Sequence, residues 1–189
     1  MGKTYTKIDD AIREFTQSQQ MFFVATAPTG AAGHVNLSPK GLDTFRILGP
    51  TTVAYVDHVG SGAETIAHLR ENGRIVIMVC AFEGPPKIVR FYGRGKAIEP
   101  RDLEFANLHR LFPSWSGIRA IVLIDIDRVG ESCGFGVPLY QFKGQRPHLG
   151  DWVERKGCDG LQAYQQEKNR RSIDGLPTLR WLDEGEERP

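Results

Sequence analysis

The 189-residue sequence has little cysteine, and its three cysteines, Cys80, Cys133 and Cys158, are far apart. Odd in number and without a CxxC pair, they supply neither a disulfide framework nor a thiolate metal cage. A surplus of charge is also missing: 24 Lys plus Arg against 23 Asp plus Glu leave a formal charge of +1. A dedicated binder of the DNA backbone needs many cations to displace counterions, so no nucleic-acid partner is expected. No apolar run approaches the roughly 18 residues needed to cross a bilayer, so no membrane partner is expected either. Met1 to Phe15 alternates charged and apolar residues and lacks the apolar core of a signal peptide. The five histidines (His34, His58, His68, His109, His148) form no HExxH pair, so no metal is assigned. Walker, Rossmann and G-x-S-x-G motifs are absent as well. These absences leave a cytoplasmic globular protein, and the length suits one domain over residues 1–189.

What is present is strand-like pattern punctuated by turns. Ile8, Ala11, Ile12 and Phe15 recur at helical spacing and predict an amphipathic helix over 7–18. Met21 to Ala27 reads as a strand, residues 28–33 as a hairpin loop, and His34 to Ser38 as the returning strand, ended or bulged at Pro39. Thr51 to Val56 is the next strand, followed by a helix over 61–71 with Asn72-Gly73 as its C-cap. Arg74 to Phe82 is nearly continuous in Ile, Val and Met, as a strand buried on both sides would be. Lys87 to Ile98 returns, with Gly93 and Gly95 marking a bend or close backbone approach. Pro100 opens a helix with Leu103, Ala106 and Leu111 on its apolar side, and Ala120 to Ile126 is a last strand. Two short helices, 148–156 and 158–169, fall in a C-terminal extension over 139–189. Adjacent, turn-connected strands with isolated helices predict a mainly β fold, an antiparallel barrel with helices at its sides.

Four segments could carry chemistry. In Tyr55-Val56-Asp57-His58-Val59-Gly60-Ser61-Gly62-Ala63-Glu64-Thr65 a strand meets a glycine-containing turn and then a helix. Unpaired amides at such a helix start suit an anion, while Ser61 and Glu64 equally match a capping box. In Asn36-Leu37-Ser38-Pro39-Lys40-Gly41, Lys40 leaves the strand where it could reach a cleft or simply be an exposed turn residue. Arg90, inside Ile88-Val89-Arg90-Phe91-Tyr92, is costly in an apolar strand unless it is paired, holds an anion, or faces solvent. Ser132-Cys133-Gly134-Phe135-Gly136 follows the last strand as an unusual loop, and Cys133 has no neighbouring His or Lys in sequence to activate it.

Read in order, these pieces resemble the pyridoxamine 5′-phosphate oxidase-like family of FMN-binding split β-barrels, over about residues 8–138. The carrying features are the turn Val59-Gly60-Ser61, the helix through His68-Leu69-Arg70-Glu71-Asn72, the apolar strand from Arg74, and Gly95-Lys96-Ala97. Ser172-Ile173-Asp174-Gly175-Leu176-Pro177 is similar to the C-terminal end of some members. The resemblance implies a split antiparallel β-barrel with flanking helices, homodimeric, with FMN in clefts between subunits. It implies that Asn36, Leu37, Ser38 and Lys40 run along the cofactor, with Tyr55 and Val56 on the next strand. Ser61 and Gly62 fall in the phosphate-binding turn; Arg90 and Ser132 stand where members place cofactor-touching side chains. The implied activity is that of a flavoprotein oxidoreductase acting on a small molecule, with no catalytic residue assigned. A deazaflavin- or haem-binding split barrel and a non-catalytic flavin-holding or sensing dimer are the alternatives. Two departures are visible. Gly62-Ala63 stands where these oxidases carry an Arg-Lys pair, and no substrate-phosphate group is evident around Leu108 to Gly117. Oxidation of pyridoxamine phosphate itself is therefore not carried over.

Overall fold

The computed structural model describes residues 2–183. Its elements are β1 (Lys3–Tyr5), α1 (Asp10–Ser18), β2 (Phe22–Thr26), β3 (Asn36–Lys40), β4 (Phe45–Ile47), β5 (Thr52–His58), α2 (Glu64–Glu71), β6 (Arg74–Cys80), β7 (Ile88–Ile98), α3 (Phe105–His109), β8 (Ile118–Ser132), α4 (His148–Lys168) and α5 (Arg180–Asp183). The strands form one antiparallel sheet in the order β3-β2-β6-β7-β8-β5-β4, with β1 added to β8. Strand β8 is 15 residues long; β7 pairs along most of it, while β5 takes the near part of its other edge and β1 the far end. The result is a curled half-barrel with flanking helices. Its concave face buries Val24, Val53, Tyr55, Ile77, Val89, Phe91, Val122 and Val129, and that cluster is joined by Ile8, just before α1, and by Ile12 on it.

Local chemistry explains the boundaries. Asp9 caps α1 by accepting from the Ile12 amide at 2.8 Å. Helix α2 is C-capped by Asn72, and Gly73 follows at φ 72°, a left-handed stop that glycine takes at little cost. Gly157, at φ 62°, interrupts α4 between the two short helices the pattern suggests. The extension is bound to the barrel by Arg180 to Glu99 (3.0 Å) and Asp102, and by Arg70 to Asp183 (2.9 Å). Leu179 and Leu182 pack with Ile66 and Ala120 beneath them.

Several expectations change. Strand β3 runs through Pro39 to Lys40, because β3 is the sheet's edge and a missing N–H on its free side breaks no ladder. The helix after Pro100 shrinks to α3: Leu103 is 98% exposed, and Phe105, Leu108 and Phe112 pack on Val56 and Ile121 instead. Strands β1 and β4, three residues each, are too short to show a period. Strand β6 is buried on one face only, with Val76 and Met78 half-exposed on the convex side.

Gly93 sits at the register shift between β7 and β8, where an added Cβ would lie 2.1 Å from the Asp125 carbonyl oxygen. That oxygen belongs to the paired backbone and has little room to yield. Gly93→Ala is expected to cost about 2–4 kcal/mol, the range of a severe packing clash. Urea unfolding would show the loss as a lowered midpoint; an unchanged midpoint would disprove the close approach.

Candidate functional site

The open seam of the half-barrel, between edge strands β3 and β4, is crossed by residues 41–44. Leu42 (φ 64°) and Asp43 (φ 55°) are both left-handed, a costly conformation for side chains other than Gly, Asn and Asp. The Thr44 hydroxyl donates to the Gly41 carbonyl at 2.6 Å, and Asp43 holds Arg46 at 2.7 and 3.0 Å. Beyond the end of β4 the seam is closed by charge. Lys40 reaches from β3 to the Asp57 carboxylate of β5 at 2.9 Å. Arg119, from β8, grips the other oxygen of Asp57 through two nitrogens at 2.9 and 2.7 Å. Asp57 is 1% and Arg119 4% exposed. Burial alone would raise the Asp57 pKa, but Arg119 and Lys40, by charge and by hydrogen bond, override it and hold the carboxyl far below its ordinary range. Asp57 is therefore an ionised anchor already engaged on both oxygens, and no general base.

The same guanidinium shapes the turn that follows β5. Arg119 Nη1 donates to the Gly62 carbonyl at 2.8 Å and the Gly60 carbonyl at 3.4 Å. Asn169, fully buried, donates to the Gly60 and Ser61 carbonyls at 2.8 and 3.3 Å. The amides of Ser61, Gly62 and Ala63 donate to no acceptor among the described residues. The capping box is not formed: α2 starts at Glu64 with Ala63 at the N-cap position and no side-chain cap. Glu64 turns elsewhere. Its carboxylate accepts from the Ile173 amide at 3.3 Å and occupies the space beside Gly62, 2.4 Å from where a Cβ would stand.

The remaining sequence-selected residues divide between the two faces of the sheet. Asn36, Ser38 and Lys40 share the concave side with Tyr55. Asn36 donates to Thr65 (2.9 Å) and Thr26 (3.2 Å), Ser38 donates to Asn36 (3.2 Å), and Thr26 meets His68 Nδ1 at 2.9 Å. Tyr55 is fully buried beside Thr65 with its hydroxyl lacking a well-formed hydrogen bond. Burial first, then the Asp57 charge, raise its pKa well above that of a free phenol, against a smaller opposing pull from Arg119 and Thr65. Leu37, Arg90 and Ser132 belong to the convex side by strand alternation, and there Arg90 donates to the Ser132 hydroxyl at 3.1 Å. Val56 lies apart, packed against Phe112 and Ile121 under α3. Asp57, Arg119 and Asn169 escaped selection. The signal for two of them was present: an acid inside Tyr55-Val56-Asp57 and a base inside Ile118-Arg119-Ala120 are as anomalous in apolar strands as Arg90.

Comparison with known proteins adds a family context. Residues 8–133 match the family model described as pyridoxamine 5′-phosphate oxidase. A curated relative, the pyridoxamine 5′-phosphate oxidase family protein ustO of Aspergillus flavus, is 42% identical over 192 residues, spanning 93% of this chain and 77% of the relative. Among solved structures, a variant of HupZ from Group A Streptococcus superposes with a TM-score of 0.53 at 20% identity, over 66% of this chain and 99% of HupZ. A Lactobacillus delbrueckii protein, provisionally named a pyridoxamine 5′-phosphate oxidase, gives 0.51 at 15% identity, over 66% and 94% of the two chains. At those identities the two structures speak for the fold alone.

Removing the charge of Asp57 leaves the buried Arg119 and the half-buried Lys40 facing each other. Asp57→Asn should destabilise the protein by about 3 kcal/mol or more at neutral pH, as breaking a buried pair from one side does. Because the folded-state pKa is depressed, the stabilisation from Asp57 is complete above the unfolded value of about 3.9 and is lost as pH falls below it. Denaturation measured from pH 7 down to pH 3 should therefore show the gap between wild type and Asp57→Asn narrowing below about pH 4. A constant gap would show that the Asp57 charge is not what stabilises the seam.

Proposed function

Because the chain belongs to the pyridoxamine 5′-phosphate oxidase family, we propose that it is a homodimeric flavoprotein that binds FMN and acts as an oxidoreductase on a small molecule. The observation that carries this reading is the Gly60–Ala63 turn. Its carbonyls are tied down from behind by Arg119 and Asn169, and the amides of Ser61, Gly62 and Ala63 are left for an outside acceptor. A preset arc of amides at a helix start is the chemistry that a phosphate tail requires.

The residues present fit such a tail in two respects and oppose it in one. The amides fit, and Lys40 with Arg119 against the single charge of Asp57 leaves one net positive charge behind the turn. The Glu64 carboxylate beside Gly62 opposes it, standing where the family's oxidases place cations. On balance the site suits an anion held chiefly by backbone amides, with a weaker grip than an Arg-Lys pair would provide. When bound, the flavin supplies the hydride or electron transfer. The chain's own part is binding and orientation: Arg119 and Asn169 hold the turn, Asp57 holds Arg119, and Asn36 and Ser38 keep the adjoining β3 in place.

The homodimer is supported by the convex face of the sheet. Val35 and Leu37 are 73% and 64% exposed, and Val76, Met78 and Tyr92 stand half-open beside them. Contiguous exposed apolar surface of this kind marks an interface. Arg90 and Ser132 lie on that same face, so a second subunit would bring its own groups to them.

Two measurements test the reading. Titrating FMN into the purified chain should shift the visible flavin bands and quench flavin fluorescence, and Glu64→Gln should tighten FMN roughly fivefold by removing a like charge near the phosphate. Free-flavin spectra at saturating protein, or no response to Glu64→Gln, would count against the phosphate turn. Leu37→Lys, at an already exposed position, should convert the dimer to monomer in sedimentation equilibrium without unfolding it. A wild-type chain that sediments as a monomer would remove the dimer from the proposal.

A further inference from the structure

A cavity of about 880 Å³ lies between the exit of β3 and the segment 140–149 of the C-terminal extension. That segment is anchored at Tyr140 and at Gln145. At the first, the Tyr140 amide donates to the Phe82 carbonyl at 3.0 Å, and the two rings meet edge-on with centroids 5.6 Å apart. At the second, Gln145 donates to the Gln20 carbonyl at 3.4 Å and lies so close over Gly41 that a Cβ there would be 3.0 Å from its side-chain oxygen. Between the anchors the walls are mainly apolar and aromatic, from Leu42, Phe82, Tyr140 and Phe142. Tyr140 and Phe142 remain 63% and 48% exposed despite their size, and Leu42 presents its side chain from a left-handed backbone. Left-handed non-glycine backbone persists where the surroundings hold it in place, often at ligand sites.

Two cations, Lys40 and Arg146, and one acid, Glu83, line the same cavity. Lys40 is committed to Asp57. Arg146, by contrast, has no hydrogen bond or ion pair among the described residues. The volume is that of a small-molecule site, and few but placed polar groups on an apolar lining are its usual chemistry. A guanidinium pairs with a planar carboxylate through two parallel hydrogen bonds. One arginine without a partner matches one negative charge, the Glu83 carboxylate disfavours a second, and the aromatic walls match a flat ring system.

We propose that this cavity binds an aromatic monocarboxylate, with the ring between Leu42 and the Tyr140–Phe142 wall and the carboxylate on Arg146. The binding stands on the cavity itself; that the ligand is the substrate of the oxidoreductase rests on the proposed function above.

The test uses the 189-residue chain without flavin and an isosteric pair of probes, 2-naphthoate and the neutral 2-naphthamide, by isothermal titration. Naphthoate should bind at least about tenfold tighter than the amide. Arg146→Gln should abolish that preference while leaving amide binding unchanged, and Phe142→Ala should weaken both probes several-fold. Absence of naphthoate binding, equal affinity for the pair, or a preference that survives Arg146→Gln would each overturn the proposal. FMN titrated with and without naphthoate separates the two readings. Naphthoate binding to a chain that ignores FMN sinks the flavin and keeps the site. Mutual displacement makes the cavity the cofactor's own seat and overturns the carboxylate site.

Discussion

The seam of the half-barrel depends on one carboxylate. Asp57 sits on an otherwise apolar strand, out of water, and is tolerable there only because Arg119 takes one oxygen and Lys40 the other. Desolvating three charges is expensive, and such a cluster is stabilising only when nearly every donor and lone pair is used. That condition is largely met. The donors of Arg119 left over from Asp57 go to the carbonyls of Gly60 and Gly62. The ion cluster that joins β3, β5 and β8 thus also sets the shape of the turn leading into α2. Barrel closure and the candidate anion site are consequences of the same contact.

Electrostatics around that turn are nearly balanced. Lys40 and Arg119 face Asp57 and, on the outer side, Glu64. An anion arriving at the turn would meet oriented amides and little net charge. Glu64 has a structural task of its own: it accepts from the Ile173 amide, while Asp174 accepts from the His34 amide and from His34 Nδ1 at 2.8 and 2.7 Å. The C-terminal segment is thereby clasped to both the α2 turn and the loop before β3.

Much of the fold is legible in the sequence, for identifiable reasons. The first helix, expected over 7–18 and formed over Asp10–Ser18, the hairpin around residues 28–33, the stop at Asn72-Gly73 and the break at Gly157 each rest on a local rule of spacing or of glycine conformation. The misjudged elements are those whose fate depends on neighbours. Pro39 continues its strand because that strand is an edge. Leu103 is exposed because Phe105, Leu108 and Phe112 reach the sheet first. Val76 and Met78 read as doubly buried because the period of β6 is masked by hydrophobic residues on both faces. The site shows the same division. Asn36, Ser38, Lys40 and Tyr55 were selected in sequence and do converge, but Leu37, Arg90 and Ser132 lie on the opposite face, which a linear motif does not separate.

By itself, the sequence determined the mainly antiparallel β architecture, the places where helices start and stop, and the stretches in which a charge is out of keeping with its surroundings. These follow from side-chain periodicity and from backbone preferences acting over a few residues. Only the tertiary structure decided that Asp57 belongs with Arg119, 62 positions away, that Glu64 serves the C-terminal segment instead of capping its own helix, and that residues 140–149 wall a cavity. Partner choice among distant charges is made by which strands the sheet's curl brings together, and no local rule encodes that distance.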